Sequence, residues 1–399
     1  CAGCARCPWR PARACQPHAG RGCMRYACFA IWLSLWAGML GGVLGLGGVA
    51  GLGQAARAAT PEPPAPLYQI EEQRVYPGTG AEELRILSTA DLEVFEPYLR
   101  RFQAERPALS IVYTVVSSAD LHAAIRAGAR FDLALSSAMD LQFRLANDGF
   151  ARPYRSEATA ALPEWARWRD LIFAFTAEPA VVVISASRFE GLALPRTRQE
   201  LIALLRDHPA RFQGAVGTYD VRQSGLGYLF ATQEARATDA YWRLSEVMGR
   251  LDPQLYCCSG QMIDDIAANR LALAYNVLGS YAAERLARDS EGRVQILRMQ
   301  DFANVILRTA LVPVTAENPA AAGALIDMLA TLGLREGPGD LPLPPLQGDL
   351  ALPPLDGEGL AAPATGFGPI RLGPALMVYL DSLNRRAFLE EWENAMEQR

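Results

Sequence analysis

Three short apolar runs, each leading into a serine-led polar patch, open the regular part of the chain. Residues 84–87 run into Ser88-Thr-Ala-Asp91, residues 109–116 into Ser117-Ser-Ala-Asp120, and residues 131–135 into Ser136-Ser-Ala-Met-Asp140. The apolar runs predict strands. Ser-x-x-Asp resembles the capping box that starts a helix, with Asp in place of Glu or Gln. The following helices are expected over 91–103, 120–127 and 140–147, the last stopped by Asp148-Gly149. Strand followed by capped helix, repeated, is the pattern of a parallel α/β sheet. All three helix starts then lie at the carboxyl edge of one sheet. Free backbone N–H groups and serine hydroxyls gather there, and the helix dipoles favour negative charge. The serines are expected to cap their helices as well.

The pattern continues with a β-rich crossing over 171–185, in which Glu178-Pro179 marks a bend or an edge. A second group of elements follows. Helices are expected over 198–207, 224–248 (with one break), 262–269 and 280–289, and strands over 214–219, 255–258, 271–276 and 294–298. Residues 305–314 read as a strand returning to the first group, and 320–332 as an Ala-rich helix. The Pro- and Gly-dense stretch 337–368 reads as loop. A closing amphipathic helix ends in Glu390, Glu391 and Glu393, a solvated charged face. Residues 59–82 lack periodicity and read as a linker.

The first 58 residues read as a leader. Cys1, Cys4, Cys7, Cys15 and Cys23 all precede Met24, and the first three have a metal-like spacing. An over-extended reading frame with a start at Met24 accounts for them better. From Met24 a positive residue, an uncharged apolar stretch over 27–53 and Ala56-Arg57-Ala58 form the pattern of an export signal. The apolar stretch is also long enough to anchor in a bilayer. Cleavage after Ala58 would leave 341 residues, enough for two lobes.

The charge balance narrows the function. Of 38 basic residues all are arginine; losing the six of the leader leaves 32 against 43 acids, a net charge of about −11. Such a body is unsuited to general nucleic-acid binding. The absence of lysine removes a Walker A loop, a Schiff-base lysine and a Ser–Lys dyad. Beyond the leader only His122 and His208 remain, and no zinc pattern survives. No enzyme activity and no cofactor are expected. Cys257 and Cys258, the two remaining cysteines, read as thiols at a strand end, one buried and one near the cleft. A vicinal disulfide with a redox role is the alternative.

Three stretches carry a family resemblance. The segment 131–149 with its Asp-Leu-Ala-Leu-Ser-Ser-Ala-Met-Asp core, Gly217-Thr-Tyr-Asp-Val-Arg-Gln-Ser-Gly-Leu-Gly-Tyr228, and Ala274-Tyr-Asn-Val-Leu-Gly-Ser-Tyr-Ala282 resemble the solute-binding proteins of bacterial transporters. Within their type II, iron-binding-like class, the chain is most similar to the phosphoglycerate transport regulatory proteins. The resemblance covers roughly residues 83–398. It implies two α/β lobes, each a mostly parallel sheet flanked by helices, with the ligand cleft between them. It also implies a monomer in the periplasm working with an inner-membrane permease or a sensor histidine kinase. The lobes are expected as 83–178 with 302–399, and 179–301.

Both readings put the site at the strand ends. Ser88, Thr89, Ser117, Ser118, Ser136 and Ser137 are the candidates from the first lobe. Thr218, Tyr219, Arg222, Ser224 and Gly225 are those from the second. Arg222 with Ser224 and Gly225 supplies a guanidinium, a hydroxyl and backbone N–H groups, a natural oxyanion clamp. Tyr275, Asn276, Ser280 and Tyr281 form the other wall. The expected ligand is a small phosphorylated or carboxylated metabolite. A ferric iron carrier using the phenolates of Tyr219, Tyr275 and Tyr281 is the alternative, although Gly279-Ser280-Tyr281 replaces the adjacent tyrosine pair of such carriers. A secreted hydrolase using Ser224 is more remote, since Gln223-Ser224-Gly225 lacks the leading glycine of the nucleophile elbow.

Overall fold

Each of the three apolar runs forms a strand, and the sheet they build is larger than the repeat alone suggests. The structure, a computed structural model, describes residues 68–335, 341–346 and 369–398. The expected leader, its cleavage site and most of the loop over 337–368 lie outside the described residues. The first elements are β1 (Ile70–Tyr76), β2 (Glu83–Ser88), α1 (Leu92–Glu105), β3 (Ser110–Val116), α2 (Ser118–Arg126), β4 (Leu133–Ser136) and α3 (Met139–Asn147). Strands β2, β3 and β4 pair in parallel, as the strand–helix alternation requires. The linker expected over 59–82 is corrected in part: β1 pairs antiparallel with β3 and forms the sheet's edge. Its side chains are mostly exposed, so it lacks the buried alternation that marks a strand in sequence.

Short pieces β5 (Ala151–Arg152), α4 (Glu157–Ala161) and β6 (Arg167–Trp168) lead into β7 (Ile172–Ser185). Strand β7 explains the expected irregularity at Glu178-Pro179. Up to Pro179 it pairs with β12 (Val305–Pro313); from Ala180 onward it pairs with β10 (Leu273–Leu278) and, past Val181, with β11 (Val294–Leu297). Proline has no N–H to donate, and it stands where one partner is exchanged for another. A single strand thus belongs to two sheet regions, and β12 returns beside its first half.

The second region contains α5 (Arg198–Asp207), α6 (Pro209–Phe212), β8 (Val216–Tyr219), α7 (Gly225–Ala237), α8 (Ala240–Gly249), β9 (Gln254–Tyr256), α9 (Ser259–Ala267) and α10 (Gly279–Arg288). The expected break in the helix over 224–248 falls at Thr238-Asp239. Strands β8, β9 and β10 are parallel. Helix α11 (Pro319–Gly333) packs back on β7, and α12 (Ser382–Met396) closes the described chain.

Helix α12 departs from the expected lobe division, which grouped 302–399 with the first lobe. Its Phe388, Trp392 and Met396 enter the apolar core of the second region beside Tyr228, Tyr241 and Leu244. A C-terminal helix can cross back because the segment before it is long, and sequence periodicity does not say which face it will meet.

The two regions are tied at their shared strand by a buried ion pair. Arg308 Nε donates to Glu178 Oε1 at 2.9 Å, and both side chains are fully buried. Thr176 and Ser280 hydroxyls donate to the same carboxylate. With Arg308 Nη2, which donates to Glu178 Oε2 at 3.2 Å, four donor atoms meet the requirement that the buried carboxylate be paired and solvated by protein. Burial pushes the Glu178 carboxyl up, but the Arg308 charge and the hydrogen bonds from Arg308, Ser280 and Thr176 together outweigh it and hold the group below its usual range.

Candidate ligand-binding cleft

An open cavity lies where the two regions face each other. Its wall is assembled from helix beginnings. Asp91 precedes α1, Ser117 and Ser118 start α2, Ser224 and Leu226 start α7, and Cys258, Ser259 and Gly260 start α9. Leu278 and Tyr281 belong to the start of α10, and Ser137 stands just before α3. The first N–H groups of a helix have no partner within it, so several sets of free donors and positive dipole ends converge on one space.

Hydrogen bonds explain how the chain holds these starts together. Ser117 Oγ accepts from Asp120 N–H at 3.1 Å and donates to its carboxylate at 2.9 Å, capping α2. Ser224 Oγ caps α7 through Gly227 N–H at 3.1 Å. Thr89 Oγ1 accepts from Ser137 N–H at 3.2 Å, joining two strand ends of the first sheet region. Tyr281 Oη accepts from Asp91 N–H at 3.0 Å, and Tyr219 Oη meets Ser259 Oγ at 2.5 Å. Gly227 is required by a close approach: a Cβ there would stand 2.3 Å from Cβ of Tyr219.

Comparison with known proteins gives this geometry its family. Residues 88–257 match the model for bacterial extracellular solute-binding proteins. A substrate binding protein of an ABC transporter from Agrobacterium tumefaciens is 30% identical, with a TM-score of 0.74, over 82% of this chain and 99% of that one. The chain belongs to the bacterial extracellular solute-binding proteins. Two further structures share the fold at 15% identity. Iron-bound HitA from Pseudomonas aeruginosa has a TM-score of 0.57 over 79% of this chain and 99% of its own. AfuA from Actinobacillus pleuropneumoniae, with fructose-6-phosphate bound, has a TM-score of 0.60 over 80% and 99%. No curated protein matches the chain.

This solute-binding protein therefore has the two-lobe type II architecture, with its cavity in the cleft between the lobes. Family membership places its work in the periplasm. No helix among the described residues is long and apolar enough to cross a membrane.

Of the residues singled out from sequence, Thr89, Ser117, Ser118, Ser137, Tyr219, Ser224 and Tyr281 line the cavity. Gly225 sits at its edge and donates its N–H to Ser118 Oγ at 3.0 Å. The others lie elsewhere. Ser88 and Ser136 are buried strand ends whose hydroxyls accept the N–H two residues on, from Ala90 at 3.0 Å and Ala138 at 3.1 Å. They cap no helix: the N-cap residues of α1 and α3 are Asp91 and Ala138, neither with a side-chain cap, and only the middle repeat is a true cap.

The second-lobe candidates behave similarly. Arg222 is no clamp in the cavity. It forks onto Asp220 with Nε and Nη2 at 2.8 and 2.9 Å, reaches Glu397 with Nη1 at 2.6 Å, and lies over the Trp392 ring. Local acids and α12 satisfy the guanidinium, which the sequence spacing did not disclose. Tyr275 and Asn276 of β10 both donate to the buried Glu234 of α7. With Thr218 they line a separate, smaller pocket. Ser280 serves the Glu178–Arg308 pair.

The phenolates proposed for iron are committed as well. Tyr219 and Tyr281 are buried, and burial pushes both hydroxyls far above the usual phenol range. Among the described residues no group of three His, Cys, Asp or Glu side chains could hold a metal ion. Ser224 Oγ is engaged in its helix cap rather than with a base.

Several lining residues escaped the sequence reading. Asp91 was assigned to capping, yet its side chain caps nothing. Burial pushes its carboxyl up to about 6, against the pull of Arg308. Glu71, on the strand read as linker, is likewise raised, by burial and then by Asp91. Gln223, Ser259 and Gly260 complete the polar wall, with Val116, Leu226 and Leu278 as its apolar part. Cys257 and Cys258 both line the cavity, and they form a disulfide rather than two thiols.

Proposed function

We propose that this solute-binding protein captures a small solute carrying an oxyanion, phosphoryl or carboxyl, in the cleft lined by Thr89, Ser117, Ser118, Ser137, Tyr219, Ser224 and Tyr281, with Gly225 at its edge. The observation that supports this reading most is the convergence of helix starts from both lobes on one cavity. Backbone N–H groups and hydroxyls at helix N-termini bind oxyanions without a cationic side chain. The lining residues include no arginine, so the charge of the solute is met by dipoles rather than by a clamp. Asp91 and Glu71 occupy the same wall as acceptors. They call for hydroxyl or ammonium donors elsewhere on the solute, as in a phosphorylated or carboxylated polyol.

The lobes, 83–178 with the return strand and 179–301, close on the solute by bending where β7 and β12 cross between them. In the structure they already touch through Gly225 and Ser118, and through Asp91 and Tyr281. Delivery is to an inner-membrane permease, the partner implied by the transporter protein from Agrobacterium tumefaciens. The chain acts as a monomer, presenting one cleft to that partner.

Thermal unfolding with a panel of solutes tests the reading. The panel holds phosphoglycerates, hexose phosphates, phosphate, dicarboxylates, ferric citrate, and the unphosphorylated parent polyols. At about 100 times Kd a ligand adds roughly 2.7 kcal/mol of stability, seen as a rise of several degrees. The expected result is a rise confined to oxyanion-bearing solutes. A rise with ferric ion alone, or with neutral polyols alone, contradicts it.

A further inference from the structure

The disulfide in the cavity wall has no evident part in holding the fold. It joins adjacent residues, Cys257 and Cys258, and closing so short a loop removes little entropy from the unfolded chain. Its influence is local. The bonded pair links the end of β9 to the start of α9: Cys258 is the N-cap residue of that helix, in extended backbone, with no side-chain cap. Ser259 and Gly260, the next two residues, line the cavity, and Ser259 Oγ binds Tyr219 and accepts from Leu278 N–H at 3.1 Å. Both sulfur-bearing residues are only partly buried and border an open cleft, so a reductant can reach them. Exposed disulfides of this kind are the reducible ones.

We infer that Cys257–Cys258 is a redox-controlled element of the binding cleft, which fixes the first turn of α9 against the solute when oxidised and releases it when reduced. The functional consequence rests on the solute-binding reading above. A thiolate of a periplasmic dithiol protein attacks one sulfur, the S–S bond breaks, and a mixed disulfide forms. The partner's second thiol then displaces it. Two electrons and two protons end on Cys257 and Cys258 as two thiols, and the partner leaves as a disulfide. The dithiol form loses the constraint on the two backbone units before Ser259, and the solute loses aligned donors.

The test uses the full chain purified without reductant. Trypsin cuts after Arg250 and Arg270, so one peptide, residues 251–270, carries both cysteines. In the untreated protein it is expected to be lighter by two hydrogens and to resist alkylation. Reduction should then speed amide hydrogen exchange in the first turn of α9 about tenfold, with α5 unchanged. The double variant Cys257→Ser/Cys258→Ser should exchange rapidly with or without reductant. Free thiols in the untreated protein overturn the inference, as does unchanged α9 exchange after complete reduction. Neither readout needs a ligand, so failure here is distinct from failure of the solute-binding reading. With 3-phosphoglycerate or inorganic phosphate as the probe, a bound oxyanion should weaken at least tenfold on reduction; equal affinity in both redox states overturns the functional half.

Discussion

The N–H of Gly225 donates to Ser118 Oγ at 3.0 Å, so the first residues of α7 and α2 hydrogen-bond to each other across the cleft. A Cβ on Gly225 would stand 2.7 Å from that oxygen and 2.7 Å from Leu141 Cδ1. Glycine is therefore the residue that lets two helix starts from different lobes approach one space. Gly225→Ala should hold the lobes apart and weaken oxyanion binding about tenfold, or ~1.4 kcal/mol. Unfolding of the unliganded variant should change by less than about 0.5 kcal/mol, because the clash exists only where the lobes meet. Calorimetric titration beside denaturant unfolding separates the two effects.

Arg222 leads to the opposite expectation. Its guanidinium is shared by Asp220 and Glu397 and lies against Trp392 of α12. The side chain is one-third exposed, which limits the worth of these pairs to within about 1 kcal/mol. Arg222→Ala should leave solute affinity within about threefold of the native value. Proteolysis should show α12 released more readily in the variant. A large loss of affinity would return Arg222 to the cleft.

Glu178 and Arg308 form the buried pair at the crossing strands, and their energetics are asymmetric. Glu178→Ala leaves a fully buried guanidinium without its partner, and should cost about 3–5 kcal/mol in denaturant unfolding. Ser280 and Thr176 lose their acceptor in the same change. A cost below about 1 kcal/mol would show that the pair is hydrated and contributes little.

Asp140 gives a pH dependence with a definite sign. Burial pushes its carboxyl up to about 7, and backbone N–H groups at the start of α3 only partly offset this. Its Oδ1 has no hydrogen-bond partner among the described residues. The folded protein therefore binds a proton that the unfolded chain releases near pH 4. That contribution to stability is complete below about pH 4 and is lost as pH rises through about 7. Asp140→Asn should raise the melting temperature by a few degrees at pH 8 and by almost nothing at pH 4. Equal effects at both pH values would remove Asp140 as the source.

Much of the fold was legible because buried parallel strands and amphipathic helices leave strong patterns. The strands at 84–87, 109–116 and 131–135, the helix over 198–207 and the broken helix over 224–248 all appear where periodicity places them. The edge strand β1 was not legible, because its residues are exposed and carry no alternation of burial. At the site, Ser117 and Ser224 could be read because a cap is a local event. Tyr275 and Asn276 could not, since their partner Glu234 lies far away in sequence. Arg222 forks onto Asp220, two residues before it, but its second partner, Glu397, is equally distant. Asp91 was misread for a related reason: its Ser-x-x-Asp spacing matches a capping box, while the helix begins later and leaves the carboxylate facing the cleft.

The central claim is that helix-start amides from both lobes hold the solute's oxyanion, and residue-resolved amide NMR tests it most directly. On addition of the tightest oxyanion-bearing solute of the panel, the N–H resonances of Ser118, Leu226 and Gly260 should move together and saturate at one Kd. The unphosphorylated parent at the same concentration should leave them in place. Saturating shifts confined to other parts of the molecule, with these three amides unmoved, would contradict the account.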